Sequence, residues 1–246
     1  MTTFTADHDL RFGLVGDRMV SIEDVASGLA CGAKCAGCGA RLVAKKGDVL
    51  RHHFAHESDQ ECAGAHETAV HRLAKQIVAD AGGIMLPDLV VSYAQYRKPI
   101  FAARWIHLDQ VWLEVWRDGI RPDIIGKRLD RLIAIEIMVT HVCDERKIAS
   151  FQNRSLAAIE IDLSRLPRDA DIAEITPAVL REAPREWLFN AKGAAVLHHM
   201  KRAARRQQSS PFTAKSWNDA QEGAMEMLGE KQAAAWLRSF APARLS

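Results

Sequence analysis

Apolar positions along this chain fall into two rhythms: short runs of strand length, and stretches with an apolar residue every three or four positions. Near the N-terminus, LRFGLV and RMVSI read as two short strands, followed by an amphipathic turn, EDVASGLA. AHETAVHRLAKQIVADAGG reads as a helix, with Val70, Leu73, Ala74 and Ile77 on one stripe and Gly82 and Gly83 closing it. LPDLVVSY, FAARWIHL and VWLEVW look like strands, being rich in β-branched and aromatic residues. RPDIIG and LIAIEIMVTH are two further apolar strands separated by KRLDR, DERKIASFQN makes a short helix, and AAIEIDLS is a final strand. The core order is α-β-β-β-α-β. A helix crossing between the last two strands favours a parallel pair flanked by antiparallel neighbours.

These rhythms divide the chain into three parts. Residues 1–62 hold the N-terminal strands and a small Cys/His module, residues 63–165 form the α/β unit, and residues 166–246 read as largely helical. QQSSP at 207–211 resembles a linker to a final helix carrying Trp217, Met225, Leu228, Trp236 and Leu237, a spacing typical of packing. That helical tail could also serve as a docking surface for a protein partner.

The Cys/His module is the first place where composition adds chemistry. Cys35 and Cys38 form a CxxC pair, and His53 and His56 follow after fourteen intervening residues. Two thiolates and two imidazoles are the donors a tetrahedral, structural Zn²⁺ takes. GARLVAKKGDVLRH between them reads as a β-hairpin, with Leu42 and Val43 on one strand, a Lys-Gly-Asp turn, and Val49 and Leu50 on the other. His52 is an alternative to His53, and Cys31 or Cys62 could replace a histidine. The module is too short to hold together by burial alone, so a metal would staple it. Five cysteines in 246 residues are too sparse, and odd in number, for a disulfide framework. With no apolar leader in MTTFTADHDLRFG and no run of about eighteen apolar residues, a soluble cytoplasmic protein without a membrane role is expected.

The chain is 48% hydrophobic with six tryptophans, enough to bury a good core. A net charge of +2 means that nucleic-acid binding would depend on local patches. The most basic run lies at 192–207, with Lys192, Lys201, Arg202, Arg205 and Arg206 and no acid. On a helix it would form one cationic sector, either facing phosphates or simply solvated.

Two acids stand inside otherwise apolar strands: Asp123 in RPDI and Glu136 in AIEIM. Burying a carboxylate costs several kcal/mol unless something pairs with it. Neighbouring strands could bring both to one edge, where a hard cation such as Mg²⁺ would fit, or they could pair with Arg121, Arg128 or Arg131. Strand alternation puts Glu136, Met138 and Thr140 on one face, with Ile137, Val139 and His141 on the other. Glu67, His71 and Lys75 share a helix face, either lining a cleft or lying in solvent.

The order of CAGC, HHFAH, HETAVHRLAK, RPDI, IEIMVTH, the DERK helix and IEIDLS resembles the competence-protein CoiA-like family, which joins a zinc-binding segment to a PD-(D/E)xK superfamily nuclease domain. The resemblance covers about residues 31–165. It implies a restriction-endonuclease-like core, a mixed central sheet holding Mg²⁺ or Mn²⁺ for phosphodiester hydrolysis of DNA. Asp123 matches the aspartate that bridges the metal, Glu136 the acid of the E-x-K element, and Glu67 a helix acid that completes the metal sphere in some relatives. The lysine of E-x-K should be residue 138, where this chain has Met138, which cannot activate water or donate to a phosphate. Lys147, in the DERK helix, is the nearest replacement; its structural alternative is a surface lysine paired with Asp144 or Glu145. Lys75 would touch the DNA backbone, and Thr140 would orient water or phosphate. The expectation is a metal-dependent DNA endonuclease acting on foreign or transforming DNA. The alternative is a degenerate nuclease fold that binds DNA or a protein without cutting.

Overall fold

The computed structural model describes residues 10–58 and 62–208. The expected final helix around Trp217 and Trp236 lies outside the described residues. The chain divides into two compact units, residues 1–196 and residues 197–246.

The first unit opens with an antiparallel pair, β1 (Phe12–Val15) and β2 (Arg18–Ser21), followed by a second, β3 (Leu42–Lys45) and β4 (His53–His56). Helix α1 (Ala65–Ala81) comes next, ended by Gly82 in the left-handed conformation, its N–H bonded to the Ala79 and Val78 carbonyls. Four short strands follow: β5 (Gly83–Leu86), β6 (Leu89–Tyr93), β7 (Tyr96–Phe101) and β8 (Arg104–His107). β5 pairs with β8 and β6 with β7, so these form two small ribbons beside the main sheet. β9 (Gln110–Leu113), β10 (Ile124–Arg128) and β11 (Arg131–Met138) lead to helix α2 (Glu145–Asn153) and β12 (Ala157–Asp162). Helix α3 (Ile172–Pro177), β13 (Arg185–Phe189) and helix α4 (Ala191–Gln208) complete the described chain.

The fold is mixed α/β. Its main sheet runs β13-β12-β11-β10-β9, with β11 and β12 parallel through the α2 crossover and every other pair antiparallel. Alternation along β11 sends Ile133, Ile135 and Ile137 into one core with Leu73, Ala74 and Ile77 of α1. Ala134 faces the other way, against Phe151 of α2 and Ala158 of β12. The two faces are therefore covered by different helices, α1 and α3 on one and α2 on the other, and Glu136 shares the α2 face with Ala134.

Three expectations are corrected. Seven short strands lie between α1 and α2, where five segments read as strands and the core order allowed three; β5 and β7 are added because the chain reverses tightly at Ala94 and again beyond Phe101. The hairpin of the Cys/His module returns at His53 and not at Val49: Val49 is 94% and Leu50 71% exposed at the loop tip. The segment after residue 165, read as helical, supplies the edge strand β13. Half-buried Arg185 fastens that strand by donating to the carbonyls of Met85, Leu180, Ala178 and Ala183.

Candidate metal centres

The Cys/His module brings together Cys35, Cys38, His56 and Cys62, whose ligand atoms all lie within 4.8 Å of one another. Cys35 Sγ is 3.8 Å from Cys62 Sγ, and Cys38 Sγ is 3.4 Å from His56 Nε2. A tetrahedron built on metal–sulfur bonds of about 2.3 Å and metal–nitrogen bonds of about 2.0 Å has edges of about 3.8 and 3.5 Å. The donor set and its dimensions therefore fit a structural zinc ion. The knuckle is shaped by its backbone. Gly39, at φ +75°, donates its N–H to the Cys35 carbonyl, and a Cβ on Gly37 would meet Cys62 Sγ at 3.3 Å. Crowded thiols perturb one another: burial, then the Cys38 and Cys35 sulfurs, push the Cys62 thiol up to about 12.

His53 is the expected ligand that does not join. It lies three residues before His56 on one strand, so the two imidazoles leave opposite faces of β4. Phe54 and His56 share the inward face, and His53 Nδ1 instead lies 2.9 Å from the Arg51 carbonyl. Cys62 fills the fourth position from the turn that starts α1, with Ala65 N–H on its carbonyl.

The second cluster forms where β10 begins and β11 ends. Asp123 stands one residue ahead of β10, opposite the end of β11, and its Oδ2 accepts from the Ile137 N–H at 2.9 Å and from His71 Nε2 at 3.0 Å. Burial opposes ionisation there. The hydrogen bond and charge of His71, the Ile137 amide and the Lys147 charge outweigh it and bring Asp123 down to about 2. Glu136, 3% exposed, receives Lys147 Nζ on Oε2 at 2.5 Å. Burial, then the Asp123 charge, push Glu136 up to about 8 in spite of Lys147. Its other oxygen, Oε1, is buried without a hydrogen-bond partner. A buried carboxylate oxygen left in this way beside a second carboxylate is the donor chemistry a hard divalent cation takes. The Lys147 stem reaches the site because Asp144 caps α2 on the Lys147 N–H at 2.8 Å, placing this lysine in the first turn.

Other expected residues go elsewhere. Glu67 does not join Asp123 and Glu136 in a three-acid group; its Oε1 accepts from the Thr140 hydroxyl. β11 ends at Met138, so the alternation that put Thr140 beside Glu136 stops two residues short of it. Glu67 and Thr140 instead line a cavity of about 660 Å³ beyond the carboxyl ends of β11 and β12, together with Val70, Leu163 and Ser164. Lys75, expected on a DNA backbone, is 3% exposed and donates to Glu114. Its aliphatic stem lies in the core, and its ammonium reaches the carboxylate at the end of β9. His71 was visible as one turn beyond Glu67, but its partner, 52 residues away, had no local signal.

Among the described residues no helix is long and apolar enough to cross a membrane. No curated protein and no solved structure matches this chain. Residues 34–65 match the family model described as "Competence protein CoiA, N-terminal domain". That stretch holds all four donors of the Cys/His cluster and ends on the first residue of α1, so in the part of the chain that carries the metal knuckle this protein is similar to the CoiA N-terminal domain.

Proposed function

We propose that the protein is a metal-dependent DNA endonuclease with a restriction-endonuclease-like core, in which the Cys/His module is a zinc staple. The observation that carries this reading is the meeting of Asp123, Glu136 and Lys147 at one end of the sheet, with Glu136 Oε1 buried and unpartnered. Asp123 and Glu136 would hold Mg²⁺ or Mn²⁺, which when bound lowers the pKa of water and neutralises charge on a phosphodiester. His71 holds Asp123 in one orientation. Lys147 would supply the ammonium that residue 138 lacks, orienting the attacking water or donating to a phosphate oxygen. Water adds to phosphorus and loses its proton to solvent as the P–O bond breaks and the departing sugar oxygen takes up a proton. Glu67 and Thr140 sit on the adjoining cavity wall and contribute to substrate contact rather than to metal binding. Foreign or transforming DNA is the proposed substrate in the cell, a reading supported by the similarity of residues 34–65 to the N-terminal domain of a competence protein.

The test is cleavage of plasmid and single-stranded DNA with Mg²⁺ or Mn²⁺, using wild type, Asp123→Ala, Glu136→Ala and Lys147→Ala. Metal-dependent cutting that disappears in all three variants supports the proposal. DNA binding without cutting on any substrate would instead support the second reading that Met138 favours, a nuclease fold that has kept its grip and lost its chemistry.

A further inference from the structure

We propose that the loop formed by residues 114–123 is a stacking platform for single-stranded nucleic acid, with a base lying on Trp116 close to the phosphate that a cation held by Asp123 and Glu136 would engage. The position of that phosphate rests on the nuclease reading; the grip of Trp116 on a strand does not.

Trp116 is 70% exposed, beside half-exposed Val115 and Arg117. A single exposed apolar side chain is ordinary. This one is held rigidly. At the base of the loop, Glu114 N–H donates to the Asp123 carbonyl at 3.0 Å, and Arg121 grips the Glu114 carbonyl at 2.9 Å and its Oε2 at 2.6 Å. Buried Lys75 takes the other Glu114 oxygen, tying the base to α1. At the tip, Arg117 and Ile120 exchange both backbone hydrogen bonds, at 2.8 and 3.0 Å, around Asp118 and Gly119 at φ +49° and +78°. That is the two-residue turn with both central residues left-handed, for which Asp-Gly is favoured. Ile120 is buried against Phe151, and Arg154 Nε donates to the Asp118 carbonyl at 2.7 Å. Glu114 itself sits at φ +52°, a conformation a non-glycine residue keeps only when its surroundings impose it. A loop anchored at both ends that still presents an indole to water is pre-organised for a planar partner.

The surrounding charge fits a polyanion. The cavity beside the loop, about 620 Å³, is lined by Arg117, Arg131, Arg154 and Lys192 against two acids, Asp118 and Asp130. Trp116 precedes Arg117, which lines that cavity, and an exposed indole on a loop bordered by guanidinium groups is the combination that takes stacked bases and their phosphates without reading sequence. In a duplex the base faces are covered by their neighbours, so the occupant is a single strand. The distances also agree. Glu114 lies opposite Asp123 across the strand pair, a Cα separation of about 5 Å, and two residues of chain add at most about 7 Å. At a rise of about 3.4 Å per stacked nucleotide, a base on Trp116 lies within about four nucleotides of the acids.

The experiment is binding of oligo(dT) to the full chain without added divalent cation, read by dye anisotropy and by tryptophan quenching, with a duplex of the same length alongside. Wild type should bind the single strand more tightly than the duplex. Trp116→Ala should weaken single-strand binding about 5- to 100-fold, a range set by loss of one stacked base. Trp116→Phe should keep most of the affinity while losing most of the quench, and Arg117→Ala should lower the salt dependence by about one ion. Equal affinity of wild type and Trp116→Ala, an undiminished quench in Trp116→Phe, or equal affinity for duplex would overturn the proposal. Trp116-dependent binding by a protein that cuts nothing leaves this inference standing and removes the nuclease reading. Cutting that is lost in Asp123→Ala, with binding indifferent to Trp116, does the reverse.

Discussion

Lys147 Nζ lies 2.5 Å from Glu136 Oε2, joining the first turn of α2 to the middle of the main sheet through an ammonium and a carboxyl group that are both partly desolvated. Glu136 faces α2 because it alternates with Ile135 and Ile137, and Lys147 faces Glu136 because Asp144 starts the helix three residues earlier. If this ammonium does the work of the lysine absent at Met138, Lys147→Ala should cut DNA about 10²- to 10⁴-fold more slowly while binding it normally. Met138→Lys in the Lys147→Ala background should then recover part of the rate. Full activity in Lys147→Ala would assign the chemistry elsewhere.

The Glu136 carboxyl gives the protein a measurable pH signature. Raised from about 4.5 to about 8, it holds its proton in the folded chain over a range where the unfolded chain has released it. Stability of the protein without added divalent cation should therefore fall as pH rises between those two values. Glu136→Gln removes the titration, so thermal unfolding of variant and wild type should converge at acid pH and diverge toward pH 8, the variant being the more stable. A difference independent of pH would show that Glu136 ionises freely.

His71 touches Asp123, so on the proposed reading it would act on a bound cation only through that carboxylate. His71→Ala should raise the Mg²⁺ concentration needed for half-maximal cutting about 10- to 100-fold, the usual effect of removing a group that orients a ligand. Saturating Mg²⁺ should restore most of the rate. A variant that needs no extra Mg²⁺ would leave His71 as packing.

The candidate zinc ligands are separable by mutation. Wild type and His53→Ala should each retain one zinc per chain after dialysis, whereas Cys62→Ala and His56→Ala should lose it and melt earlier. Zinc loss in His53→Ala with retention in Cys62→Ala would reverse the assignment drawn from β4.

Lys75 tests burial against surface electrostatics. Lys75→Met keeps the volume but strands the inner Glu114 oxygen, costing about 1–2 kcal/mol in urea unfolding. A surface lysine would cost almost nothing.

Much of this protein follows from local sequence. The strands β10 and β11, the helices α1 and α2, the CxxC knuckle and the acids inside apolar runs were all legible, because alternation, capping and the rarity of buried carboxylates act over a few residues. Strand periodicity alone even contained the objection to His53: three residues along a strand reverse the face. What the tertiary structure decided was every choice that depends on a distant partner. Cys62 completes the metal knuckle because the turn before α1 folds back onto Gly37, His71 serves Asp123 because α1 crosses that end of the sheet, and Lys75 is buried because β9 delivers Glu114 above it. β13 extends as a strand because β12 presents an open edge and Arg185 finds carbonyls near it. These pairings are fixed by packing between elements far apart in the chain, where residue type and spacing carry no record of which neighbour will arrive.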